Sequence, residues 1–107
     1  MTTRREFLLD KCFKQTWMPY VPLFPRDLDF PETLALRAPA ATMVLYCTED
    51  PLYTVAEMKR ADEMLRDIFR HEGAPEMYRS KFYPGGHKFD RETQADAFDW
   101  FDRHLKR

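Results

Sequence analysis

The sequence predicts an α/β fold in which strand, helix, strand and helix follow one another around a parallel sheet. Three observations predict it. Ala41 to Cys47 (Ala-Thr-Met-Val-Leu-Tyr-Cys) is a nearly continuous apolar run without alternation, the pattern of a strand covered on both faces. Met58, Ala61, Leu65, Ile68 and Phe69 then recur at three- and four-residue intervals, which places them on one face of a helix, with Lys59, Arg60, Asp62, Glu63, Arg66 and Asp67 elsewhere. Tyr78 to Tyr83 is a second strand, followed by a glycine turn and another helical stripe. Strand–helix–strand units in one sheet cross over right-handedly in nearly all cases, so the two strands are expected to be parallel, with their carboxyl ends on the same side.

Each element has its local signals, and the chain changes character near residue 38. In residues 1–37, a short amphipathic stretch (Arg4 to Phe13) runs into Trp17-Met18-Pro19-Tyr20-Val21-Pro22-Leu23-Phe24-Pro25, whose three prolines exclude regular helix and central strand alike. This part reads as an aromatic- and proline-rich connector, with apolar side chains too numerous for a free loop. Pro31 opens one or two helical turns through Leu36. Residues 38–107 carry the strands and longer helices. Thr48-Glu49-Asp50-Pro51 stops the first strand, and Thr54-Val55-Ala56-Glu57 has the spacing of a capping box at a helix start. Gly73 ends that helix and Pro75 prevents its resumption. The two glycines of Pro84-Gly85-Gly86-His87 allow backbone angles other residues avoid. Asp90 caps a last helix, in which Ala97, Phe98, Phe101 and Leu105 are expected to form the buried stripe.

With 44% hydrophobic and 33% charged residues over 107 positions, the composition is that of a globular chain of one domain or less. A net charge of −1, with both signs interleaved, provides no basic stripe for nucleic acid and no polybasic tail for a membrane surface. The longest apolar run, Met43 to Cys47, is far short of a membrane span, and Met1-Thr2-Thr3-Arg4-Arg5 lacks the apolar core of a signal peptide, so a cytoplasmic protein is expected. Cys12 and Cys47 have neither C-x-x-C spacing nor a neighbouring histidine pair; free thiols are expected, with no metal and no cofactor.

The chemistry is expected at the carboxyl ends of the strands, where open α/β sheets form their ligand crevice. Glu49-Asp50 follows one strand and His87 the other. An acid that accepts a hydrogen bond from one imidazole nitrogen fixes the tautomer and frees the second nitrogen to take a proton from a nucleophile. His71 and His104 fall on polar helix positions and read as surface residues, and Asp90 reads as a helix cap rather than a second acid.

Leu45-Tyr46-Cys47-Thr48-Glu49-Asp50-Pro51-Leu52, followed by Phe82-Tyr83-Pro84-Gly85-Gly86-His87-Lys88-Phe89, resembles the C-terminal end of the α/β-hydrolases, particularly their dienelactone-hydrolase-like and acetyl-xylan-esterase-like branch. The resemblance covers about residues 17 to 107. It implies the strand-helix-strand-helix end of an α/β-hydrolase parallel sheet, incomplete on its own, with Asp50 as the catalytic acid and His87 as the general base. Glu49 is the rival acid, since a one-residue shift of the strand end exchanges the two.

The departure from the family is equally informative. Hydrolases of this fold order their triad Ser, Asp or Glu, His, with the serine in G-x-S-x-G. Here the sole serine, Ser80, lies inside the second strand, and neither cysteine has flanking glycines. Nucleophile and oxyanion hole must come from outside the chain. Two functions follow. One is the C-terminal part of an esterase-type acyl hydrolase acting on a small ester; the other is a non-catalytic, hydrolase-derived binding or self-assembly module. Because a doubly covered strand normally has two neighbours and only one later strand is on offer, the open edge is expected to recruit the missing N-terminal part of the domain or a second copy of the chain.

Overall fold

The structure, a computed structural model, describes residues 1–3, 5 and 28–105. The amphipathic stretch to Phe13, Cys12 and the Trp17–Pro25 connector therefore lie outside the described residues, Arg5 excepted. The element order is α1 (Phe30–Ala35), β1 (Thr42–Cys47), α2 (Val55–His71), a 3-10 turn (Pro75–Met77), β2 (Tyr78–Tyr83) and α3 (Arg91–Leu105). The fold is mixed α/β. Its sheet among the described residues has two parallel strands, in register from Thr42 opposite Tyr78 to Cys47 opposite Tyr83.

Local chemistry sets the element ends. Asp29 caps α1 in a reciprocal box: its carboxylate accepts from Phe30 N at 2.7 Å, while Glu32 accepts from Asp29 N at 2.9 Å. Thr54 caps α2, accepting from Glu57 N at 3.4 Å. The Glu57 carboxylate is itself buried and receives the Thr3 hydroxyl, with Arg60 at 3.6 Å. Gly73, at φ +74°, closes α2: its amide donates to Arg70 O at 3.0 Å and the Ala74 amide to Phe69 O at 2.9 Å, the double bond of a Schellman motif. Asp90 caps α3 through Thr93 N at 3.1 Å.

The core lies between the sheet and α2. Val44 and Tyr46 on β1, Tyr78 on β2, and Met58, Leu65 and Phe69 on α2 form one buried cluster with Ala35. Tyr46 stacks on Phe82, with ring centroids 4.4 Å apart. Polar clasps hold α2 and α3 to β2. On the α2 side, Tyr78 Oη donates to Asp62 at 2.8 Å, and Arg66 bonds both Asp62 (3.0 Å) and the Ser80 hydroxyl (2.6 Å). On the α3 side, Lys81 Nζ (2.6 Å) and Tyr83 Oη both donate to Asp96.

Two sequence expectations need correction. β1 is not evenly covered: Thr42, Val44 and Tyr46 are buried, whereas Met43, Leu45 and Cys47 are only half-buried, because α2 packs closely on one face and α3 partly covers the other. The buried stripe of α3 is not Ala97, Phe98, Phe101 and Leu105. Thr93 and Trp100 are buried, Asp96, Ala97 and His104 are half-buried, and Phe98, Phe101 and Leu105 are exposed. The clasp on Asp96 turns that side of the helix toward the sheet.

Candidate active site

β1 and β2 end side by side, Cys47 opposite Tyr83, so the segments that follow them emerge at one end of the sheet. Beyond β1 the chain makes a tight turn, with Asp50 N donating to Cys47 O at 3.2 Å. Leu52 N then donates to Asp50 Oδ1 at 2.8 Å, a local bond typical of aspartate in turns that fixes the carboxylate plane. The other oxygen, Oδ2, lies 2.8 Å from His87 Nδ1. The acid and histidine indicated by the sequence are thus in hydrogen-bond contact.

The turn treats the two carboxylates differently, and it is Asp50 that meets His87. Glu49 is exposed, and its backbone amide, rather than its carboxylate, engages the opposite loop through Gly85 O at 3.0 Å. Asp50 points inward.

The pair is asymmetric. The Asp50 side chain is 6% exposed and the His87 side chain 73%. An ionised carboxylate only accepts hydrogen bonds, so such a partner puts a proton on Nδ1, and in the neutral imidazole that leaves Nε2 as the acceptor on an open ring. Such an arrangement can do general-base chemistry: a free Nε2 can take a proton from a group brought to it, and a nearby carboxylate can stabilise the imidazolium formed.

Around the pair, Lys88 Nζ bonds Asp90 Oδ2 at 3.1 Å. The hydrogen bond to Asp90 holds the Lys88 ammonium above its ordinary range; Asp90 is held below the ordinary carboxylate range, first by the Thr93 amide and then by Lys88. Cys47 is a half-buried free thiol with Sγ 3.8 Å from Lys88 O. Ser80 stands mid-strand on β2, its hydroxyl held by Arg66 on the α2 side, and is no part of this site.

The remaining histidines are elsewhere: His71 is exposed at the end of α2, and His104 is half-buried with its ring centroid 4.0 Å from that of Trp100. Among the described residues no group of three or more His, Cys, Asp or Glu side chains is placed to hold a metal ion, and no helix is long and apolar enough to cross a membrane. Sequence reasoning missed Asp62 and Asp96, the acids that clasp β2 from opposite faces. Alternation gave a signal: Lys81 and Tyr83 share one face of β2, and Tyr78 and Ser80 the other. No protein-family model, no curated protein and no solved structure matches this chain.

Proposed function

We propose that this chain is the C-terminal part of an α/β-hydrolase, an esterase-type acyl hydrolase to which it supplies the triad acid Asp50 and the general base His87. The observation that carries the reading is the 2.8 Å contact between a buried carboxylate and an open imidazole at the shared end of two parallel strands. In the reaction, His87 Nε2 takes the proton of a serine hydroxyl as its oxygen bonds to the ester carbonyl carbon. The same proton then goes to the departing alkoxide as the ester C–O bond breaks, and water repeats the cycle on the acyl-enzyme. The serine and the oxyanion donors come from outside these residues.

The test is the reading frame upstream of Met1 together with hydrolysis of short-chain nitrophenyl esters. A polypeptide that adds a G-x-S-x-G segment to this chain is expected to turn over, and His87→Ala is expected to abolish it. Absence of such a segment, with no hydrolysis, overturns the reading.

A second reading, a hydrolase-derived module for binding or self-assembly, is favoured by a different observation. A groove of about 270 Å³ opens beside β1, lined by Leu34, Met43, Leu45, Ala97, Trp100 and Phe101. Phe98, Phe101 and Leu105 continue the apolar surface along α3. On this reading, that apolar surface is where a hydrolase portion or a second copy docks. Sedimentation at micromolar concentration tests the assembly reading, which expects a concentration-dependent dimer; a clean monomer with a sharp, concentration-independent melt refutes it and counts against the incomplete-fragment reading as well.

A further inference from the structure

Asp50 and His87 stand on separate loops, so their contact depends on whatever ties those loops together. The ties are hydrogen bonds from two consecutive positions after β1, Thr48 and Glu49, to carbonyls at and beyond the end of β2. Thr48 donates both its amide (2.9 Å) and its hydroxyl (3.2 Å) to Tyr83 O, which extends the parallel ladder one residue past the strands. Glu49 N then donates to Gly85 O at 3.0 Å. His87 follows two residues later.

The two glycines of the loop are not equivalent. Gly85 has φ +98°, a conformation that L side chains rarely adopt, and this torsion accompanies the placement of its carbonyl on the Glu49 amide. Gly86 lies outside the left-handed region. A Cβ added there meets only Glu49 O, at 3.9 Å, which is ordinary contact.

We propose that Gly85 is the positioning residue of the Asp50–His87 pair: its left-handed backbone places its carbonyl on the Glu49 amide, and that bond brings the imidazole to the Asp50 carboxylate. The consequence for turnover rests on the acyl-hydrolase reading. The placement of the ring does not.

The experiment reads the His87 tautomer in the full ¹⁵N-labelled chain at a pH where imidazole is neutral, from its two side-chain nitrogen shifts. The native chain is expected to carry the proton on Nδ1. Gly85→Ala should change the ratio of the two tautomers toward Nε2–H by up to about tenfold, the limit reached when the whole backbone penalty for a side chain at positive φ is relieved by releasing the loop contact. Asp50→Asn should do the same by direct loss of the acceptor, whereas Gly86→Ala should leave the ratio unchanged. Because asparagine tolerates positive φ better than alanine, Gly85→Asn should fall between native and Gly85→Ala, and it takes over the comparison with Gly86→Ala should Gly85→Ala not fold. A native ratio in the folded Gly85 variants, or an equal change in Gly86→Ala, overturns the proposal. No turnover is needed for this reading, so a missing esterase activity refutes the proposed function alone.

Discussion

Asp50→Asn separates a catalytic acid from a structural one, because the two roles predict losses of very different size. The exchange keeps the carbonyl oxygen that can accept from Leu52 N and removes the charge that faces His87. On stability the effects oppose each other. A charge-assisted bond is lost, but its imidazole partner is 73% exposed and rehydrates readily, while the 6% exposed carboxylate no longer has to be held ionised away from water. The net change is expected to stay within about 1 kcal/mol in either direction, or roughly 4–8 °C in melting temperature for a domain of this size. On turnover the cost should be far larger. Replacing the acid of a Ser-His-Asp triad by its amide costs on the order of 10⁴-fold, about 5 kcal/mol of barrier, because the imidazole is left in the wrong tautomer. Far-UV circular dichroism melts of the chain, and nitrophenyl-ester hydrolysis by the polypeptide that includes the serine segment, measure the two quantities. A variant that unfolds at 25 °C would make Asp50 a structural residue. A folded variant that retains more than about a tenth of the activity would refute the acid's role.

Three further outcomes follow from the packing and electrostatics. Lys81, and after it Tyr83, hold Asp96 below the ordinary carboxylate range, so its contribution to stability is present above the unfolded-state value near about 4 and is lost as pH falls through its lower folded value. Urea midpoints from pH 6 to 2 should therefore fall less steeply in Asp96→Asn than in the native chain; parallel curves would contradict the clasp. Leu65 is 0% exposed at the centre of the α2 interface, and Leu65→Ala should cost about 2–5 kcal/mol by chemical denaturation, whereas a loss under about 1 kcal/mol would mean that the core collapses around the gap. At Gly73, φ is +74° and nothing lies within 4 Å of an added Cβ, so Gly73→Ala should cost only the backbone penalty of about 1–2 kcal/mol, with Gly73→Asn milder in the same melts.

The sequence by itself determined the elements and their order. The apolar run from Ala41, the three- and four-residue recurrence from Met58 to Phe69, and the punctuation by Gly73 and Pro75 are local signals, and both strands and the long helix form where those signals place them. They are legible because backbone preference and burial act there over the same few residues. Proximity of Asp50 and His87 was also legible, since parallel strands bring the residues after their carboxyl ends to one side.

Tertiary structure alone decided three things. It brought Asp50 rather than Glu49 to the His87 ring, because the bonds Asp50 N to Cys47 O and Leu52 N to Asp50 Oδ1 turn one carboxylate inward and leave the other outside. It assigned the left-handed conformation to Gly85 and not Gly86, which adjacent glycines cannot reveal from sequence. It also set the rotation of α3. Periodicity favoured Phe98, Phe101 and Leu105, but Lys81 and Tyr83, distant along the chain, hold Asp96 against the sheet and leave those apolar side chains exposed. Hydrophobic pattern records how much of a helix is apolar; a polar clasp from a neighbouring strand can decide which side faces in.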